Sequence, residues 1–352
     1  MSGCNNMLQK VLIVKLAAIG DVIMALPMAK QLREKNPDVE ITWMCGKAVV
    51  PILREVGTVD EIIPIDDTRL LTGNIFGRLR LLLSIWVKLF GRKYDLAVIG
   101  HSDSRYRLLT LTVKAKIIRS FSRTGTRVWP VPGRHHSDEY YRLVTGNDSP
   151  QNAPLELPVL SLPLPDKLRE KFQPTSYSST VAFAPGGAKN VLHEDAIRRW
   201  PIKHYVSLAE KLIENDIRVV LTGAPDDAWV RDSFDGLPVI DFIGETNLIE
   251  LIALYHACDV VVTHDSGPLH LAGLAGIPLV ALFGPTNPYE KVPRDKRTEI
   301  LWGGENLACR PCYDGRAYAD CCDNLCLKLI KPETVFETVT AILKTEVEYK
   351  QP

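Results

Sequence analysis

Short β-branched runs, each followed by a turn and then by a stretch of helical spacing, recur through both halves of this 352-residue chain. That alternation restricts the fold more than any other feature. Lys10–Lys15 (KVLIVK) leads into the turn-like LAAIGD, and VIMALPMAKQLREKNP has helical spacing that Pro37 closes. VEITWMC reads as a strand, Ala48–Val56 as a helix, VDEIIPID as a third strand, and Tyr94–Gly100 (YDLAVIG) continues the series. This is the β-α-β-α-β pattern of a parallel sheet covered on both faces. It restarts at Thr180–Ala184 (TVAFA) with HYVSLAEKLIEN as helix and Arg218–Thr222 (RVVLT) as strand; LIELIALYHAC, DVVVTHD, PLHLAGLAG and PLVALFG then alternate helix and strand.

Between Gly146 and Thr180 lie six of the 24 prolines, the texture of an extended linker. We therefore expect two Rossmann-like α/β domains of similar size, 1–165 and 166–352, with a ligand cleft at the carboxyl ends of their sheets. Lys+Arg and Asp+Glu are both 42, a net charge of zero that argues against binding nucleic acid through the overall field. The zero is a cancellation, because Thr68 to Ser137 carries 14 bases against Asp95 and Asp103. A block of +12 in the first domain requires a partner or a solvated role.

The first ten residues lack a signal-peptide pattern, so a cytoplasmic location is expected. The longest run without formal charge, Ser266 to Tyr289, is punctuated by glycine and proline and is not expected to span a membrane. Eight cysteines in such a chain should mostly be thiols. Five cluster between Cys309 and Cys326; Cys309 and Cys312 have zinc-ligand spacing, and with Cys322 and Cys326 they form a candidate structural zinc site. Buried thiols acting as small apolar groups are the competing reading.

Four turns carry candidate chemistry. Asp21, after Gly20 in the first strand-to-helix turn, is either a carboxylate facing the ligand crevice or a helix cap. Gly186 and Gly187 in PGGAKN can form a backbone anion nest, with Lys189 and Arg198 or Arg199 to neutralise phosphates. Thr222, Gly223 and Asp226 end the next strand where ribose contacts or caps occur. In the fourth, Asp265 ends a strand, Ser266 can cap, Gly267 permits close approach and Pro268 suits the first helical position, which makes a helix N-terminus suited to a diphosphate. His270 could face the same anion. No GxGxxG fingerprint accompanies the first strand, which argues against hydride transfer.

Ile75–Lys93 sets Arg80, Ser84, Lys88 and Arg92 on one helical stripe, with Leu79, Leu82, Leu83, Trp86, Leu89 and Phe90 expected on the other side. Such a helix either lies on an anionic membrane or packs in the core with a solvated stripe. Arg78, Arg80, Lys88, Arg92 and Arg105 are the candidate acceptor or membrane surface.

VLIVKLAAIGDVIMALP, YDLAVIG, PGG…RRWP and HDSGPLHLAGLAGIPLVALFGPTNP together resemble glycosyltransferase family 9, the ADP-heptose:lipopolysaccharide heptosyltransferase family, over nearly the whole chain. The resemblance implies a GT-B fold of two facing Rossmann-like domains with parallel sheets. It also implies an inverting transfer that requires no metal cofactor, from a nucleotide sugar of the ADP-heptose kind to an anionic lipid-linked saccharide at the inner membrane face. By position it gives Asp21 the role of general base and Asp265, Ser266, Gly267 and His270 that of donor motif. Arg198 stands where many relatives have lysine, and Thr222, Asp226 and Thr246 lie near nucleotide contacts. A transferase for another nucleotide sugar, a nucleotide-sugar epimerase on the same fold, and a non-catalytic membrane-docked nucleotide-sugar-binding protein are the rival readings.

Overall fold

The computed structural model describes residues 8–121, 131–146, 154–172, 177–189, 194–295, 297–314, 317–321 and 323–350. Two compact units divide at Pro158 and Val159. In chain order the first holds β1 (Lys10–Val14), α1 (Ile19–Lys35), β2 (Glu40–Gly46), α2 (Val50–Val56), β3 (Glu61–Ile65), α3 (Asp67–Thr72), α4 (Ile75–Leu89), β4 (Lys93–Ile99), β5 (Lys114–Ser120) and α5 (His136–Thr145). The second holds α6 (Asp166–Lys171), β6 (Ser179–Ala184), α7 (Ile202–Glu214), β7 (Ile217–Leu221), β8 (Ile240–Asp241), α8 (Leu248–His256), β9 (Val260–His264), α9 (Gly267–Ala275), β10 (Leu279–Phe283), β11 (Thr298–Trp302), α10 (Leu325–Lys328) and α11 (Pro332–Lys350).

Among the described residues each unit has one parallel sheet, in the order β3-β2-β1-β4-β5 and β11-β10-β9-β6-β7-β8. Both are doubly wound. The chain reverses direction across the sheet between β1 and β4 in the first and between β6 and β9 in the second, and ligands bind in such sheets outside the carboxyl ends at that switch. The central strands are buried on both faces, which is why KVLIV, TVAFA and VVVTH read as continuous apolar runs rather than alternating ones. The edge strand β5 differs: its alternation is broken, it is largely exposed, and Lys114, Lys116 and Arg119 blunt an edge that could otherwise pair with another chain.

One core of the second unit gathers Phe183, Trp200, Tyr205 and Val339 around β6 and α7, with the Trp200 indole donating to the Ile330 carbonyl at 3.0 Å. In the first unit Leu12, Val14, Ile63, Ile85 and Leu89 share a core that anchors α4 by one edge only.

The boundary falls seven residues before the expected 165/166 division, for a packing reason. The amide of Leu160 donates to the Leu274 carbonyl at 2.7 Å, and Val159 lies against Gly276, so the end of the proline-rich segment already belongs to the second unit. Gly276 closes α9 at φ +63°, and a Cβ there would stand 2.5 Å from a Val159 methyl. Gly276→Ala should cost about 2 kcal/mol from left-handed strain and overpacking together. Urea unfolding should show that loss, with part of it recovered when Val159→Ala is added.

Candidate active site

At the switch point of the first unit, β1 ends at Val14 and the next residue, Lys15, is 2 % exposed. Its ammonium pairs with Asp21 Oδ2 at 2.8 Å. Asp21 stands in the first turn of α1, and the N-cap is Ala18, which makes no side-chain capping bond. The capping alternative for Asp21 therefore gives way to an ion pair whose carboxylate side chain is 36 % exposed. Gly20 is buried beside it. From the other side of the switch, after β4, the His101 Nε2 accepts from the Leu16 amide at 3.0 Å and its ring stacks on Tyr106 at 3.7 Å. Burial, then the Lys15 charge, hold His101 well below the usual histidine range, so the ring is neutral.

In the second unit the loops after β6 and β9 meet at their own switch. Gly187, at φ +75°, lies close enough to Ser266 that a Cβ would stand 3.4 Å from the serine Cβ. Asp227 supports the glycine turn by accepting from the Gly187 amide and the Ala224 amide, each at 2.8 Å, and a Cβ on Gly186 would collide with its carboxylate at 2.3 Å. Asp227, buried, is thus the structural carboxylate of the segment. Asp226, the expected ribose ligand, and Lys189 form an exposed, solvent-screened ion pair at 2.5 Å, their side chains 68 % and 48 % exposed. Thr222 differs from expectation: its hydroxyl sits in the core, donating to the Phe183 carbonyl and meeting the Tyr255 hydroxyl at 2.9 Å. Gly223 accepts from the Gly244 amide through its carbonyl, and Thr246 is half-buried just ahead of Asn247, the cap of α8.

Asp265 is the centre of this site. Buried at the end of β9, it accepts from Thr286 Oγ1 at 2.8 Å and from Lys291 Nζ at 3.2 Å, while Arg198 donates to its carbonyl at 2.9 Å and stands 3.8 Å from Oδ2. Burial by itself would raise the Asp265 pKa, but Lys291, Arg198 and the Thr286 bond overcome it and hold the carboxyl well below the usual carboxylate range. Ser266 occupies the N-cap position of α9, yet its hydroxyl donates back to the His264 carbonyl at 3.2 Å instead of capping. His270, buried in the first turn of α9, adds its electrostatic pull on Asp265. Arg199, through Nε and Nη2, donates to the Gly187 carbonyl, so Arg198 and Arg199 divide the two loops between them.

Thr286 falls inside the FGPTNP end of the quoted motif with nothing to mark it as a contact, and Lys291, Tyr313 and Tyr318 lie outside every motif. The Lys291 ammonium stands 5.1 Å from the Tyr313 ring centroid, Tyr313 and Tyr318 are bridged and lie 4.7 Å apart, and Arg198 and Asp265 both act electrostatically on Tyr318. The sequence signal for the last three is their nearness to FGPTNP and to the cysteine cluster, whose Cys312 amide donates to the Pro285 carbonyl at 2.9 Å. Cys309, Cys312 and Cys321 all act electrostatically on Cys326, so the fold gathers these thiols in one segment, and among the described residues no group of three or more His, Cys, Asp or Glu is disposed to hold a metal ion. Cys322 lies outside the described residues.

On the basic surface, Arg92 pairs with Glu61 at 2.5 Å, Arg105 with Asp103 at 2.6 Å, and Arg78 donates to the Leu71 carbonyl at 2.7 Å. Those three have internal partners, and Arg80 and Lys88 project from exposed positions of α4. The expected division of α4 into opposite faces is overturned. Ile85 and Leu89 are buried, whereas Phe76, Leu79, Leu83, Val87 and Phe90 are exposed, because only one edge of the helix reaches the core and the apolar row runs beside the basic one. Among the described residues no helix is long and apolar enough to cross a membrane.

The chain has the GT-B fold: it matches the solved glycosyl transferase family 9 protein of Veillonella parvula with a TM-score of 0.74 at 21 % identity, covering 96 % of this chain and 97 % of that one. It matches the Escherichia coli ADP-heptose lps heptosyltransferase II with a TM-score of 0.71 at 25 % identity, covering 96 % and 99 %. In sequence it is 25 % identical over 300 residues to the lipopolysaccharide core heptosyltransferase OpsX of Haemophilus influenzae, covering 82 % of this chain and 83 % of that protein. The family model for glycosyltransferase family 9 (heptosyltransferase) matches residues 82–321, and the chain belongs to that family. It is a glycosyltransferase.

Asp265 carries a measurable signature. Its folded pKa is depressed, so the stability it contributes is complete above the ordinary carboxylate range and is lost as pH falls toward the folded value. Urea titrations should show a marked stability loss below about pH 4. Asp265→Asn should destabilise by about 3 kcal/mol at pH 7, leaving Lys291 and Arg198 without their carboxylate, and should flatten the acid dependence.

Proposed function

We propose that this chain is an inverting heptosyltransferase that takes a heptose or related sugar from a nucleotide sugar of the ADP-heptose kind and passes it to a lipopolysaccharide core or related lipid-linked saccharide. One observation carries the reading: in a member of a heptosyltransferase family, a half-buried carboxylate and a cluster of cations each stand at the switch point of their own sheet. The names of the relatives, heptosyltransferases of lipopolysaccharide, support the acceptor class, and the ADP-heptose enzyme of Escherichia coli supports the donor.

The chemistry then follows from the residues. An acceptor hydroxyl attacks the anomeric carbon as Asp21 takes its proton; the new carbon–oxygen bond forms on the face opposite the breaking bond to phosphate, which inverts the centre. The electron pair of the broken bond goes to the nucleoside diphosphate. Arg198 and Lys291, anchored on Asp265 but less buried than it, and the amino end of α9 at Gly267 are placed to receive that growing charge. With that positive charge supplied by the protein, the reading needs no divalent ion, and EDTA should leave the rate unchanged.

Asp21→Asn tests the reading. It should lower heptose transfer by at least about 100-fold, measured with ADP-heptose and heptose-deficient lipopolysaccharide, while a thermal shift with ADP-heptose persists. Retention of near wild-type transfer would remove Asp21 as base. A shift with UDP- or GDP-sugars and none with ADP-heptose would overturn the donor.

A lipid-linked acceptor places the protein in the cytoplasm against the inner face of the membrane. The support is the exposed row of Leu79, Leu83 and Val87 beside Arg80 and Lys88 on α4, apolar contact and positive charge on one surface. Replacing Leu79, Leu83 and Val87 together by glutamate should reduce co-sedimentation with vesicles containing phosphatidylglycerol by at least about tenfold, leaving melting temperature unchanged since none is in the core. Unchanged co-sedimentation would refute docking by this face.

A further inference from the structure

Lys15 is the most deeply buried amine at either switch point, and nothing in the reaction as described assigns it a task. It is held at both ends. Its amide donates to the Met44 carbonyl at 3.1 Å, and its own carbonyl accepts from the Trp43 indole at 3.1 Å inside the core. The stem passes Gly100, where a Cβ would stand 3.2 Å from Tyr140 Cε1 and 3.3 Å from Lys15 Cδ, a close fit on both sides. The ammonium lies 5.5 Å from the centroid of the buried Tyr140 ring on α5 and ends on Asp21 Oδ2. A charge this buried requires a partner, and the pairing fixes the carboxylate as firmly as it neutralises the amine. The asymmetry is the informative part: the lysine side chain is 3 % exposed and the aspartate 36 %, so the rigid member is inside and the reactive member outside.

We propose that Lys15 is a positioning residue for the transfer: it holds Asp21 by one oxygen and sets the orientation in which the carboxylate meets the acceptor hydroxyl. This rests on the reading of Asp21 as base. Lys15 touches no reacting atom, and the proton goes from the acceptor to Asp21. His101, Tyr106 and Tyr140, the other titratable groups facing the pair, enclose it from β4, the turn after it and α5. None of them supplies a second positive charge, since His101 is neutral.

The test compares Lys15→Gln, which keeps a hydrogen-bond donor without charge, with Lys15→Arg, which keeps the charge, in assays with ADP-heptose and heptose-deficient lipopolysaccharide. Lys15→Gln should lower kcat at least about tenfold with KM for ADP-heptose unchanged, and Lys15→Arg should recover part of that loss. Adding Lys15→Gln to Asp21→Asn should produce no further decrease, because the lysine acts through the aspartate. Circular-dichroism melts separate folding from positioning: a lower melting temperature with wild-type kcat below it would make Lys15 purely structural and overturn the proposal. So would additive losses in the double variant. If Lys15→Gln does not fold, Lys15→Arg decides, since a kcat as low as that of Asp21→Asn with the charge retained would also overturn it. Wild-type transfer by Asp21→Asn would instead bring down the base reading beneath it, a distinct result.

Discussion

Two parallel registers hold the chemistry of this protein in place. Val14 pairs with Ile99 and Ala184 pairs with Thr263 at the ends of central strands, so in each unit two loops leave the sheet side by side at its carboxyl edge. Parallel strands cannot be joined by a hairpin, so each crosses over through a helix, and at the switch the crossovers diverge to opposite faces and leave the loop ends uncovered. The sequestered strands supply the rigidity, and the loops supply the groups. Displacing either register by one residue would turn every side chain of a fully buried strand onto the opposite face.

The two sites are built as electrostatic opposites. In the first unit a buried cation, Lys15, supports a half-buried carboxylate; in the second a buried carboxylate, Asp265, supports cations nearer the surface. The proposed transfer would use this division of labour, with a carboxylate for the attacking hydroxyl and positive charge for the leaving group. In each case the buried member fixes the outer one, at a desolvation cost that only a tight pair can offset.

Much of the fold was legible because fully buried parallel strands are written as uninterrupted β-branched runs and their turns as glycine, proline and aspartate. Parallel sheets were implied by the repeated β-α-β pattern, and the candidate residues Asp21, Asp265, Gly186 and Gly187 stood out because they lie in the segments that follow strands. What the pattern did not carry was any pairing between residues distant in the chain. Asp226 and Lys189 looked like separate ligand contacts, yet they neutralise each other across 37 positions, and adjacent Asp227 is the one that holds the turn. Thr222 looked accessible at a strand end and is sealed by Tyr255 of α8. On α4, helical periodicity identified rows correctly but not which row faces the core, because that depends on where the neighbouring sheet ends.

Two α/β units with parallel sheets, and the loops in each that carry carboxylates, glycines and basic residues, are written in the residues alone, since periodicity and turn chemistry are local properties. The folded structure settles which charges are committed to partners and which remain outward. It buried Lys15 beneath Asp21, gathered Lys291, Arg198 and Thr286 on Asp265, absorbed Arg92 and Arg105 into ion pairs, and left the apolar row of α4 exposed beside Arg80 and Lys88. The reason is physical: the energy of a charge is set by its burial and its nearest opposite charge, and both are fixed by segments far away in the chain.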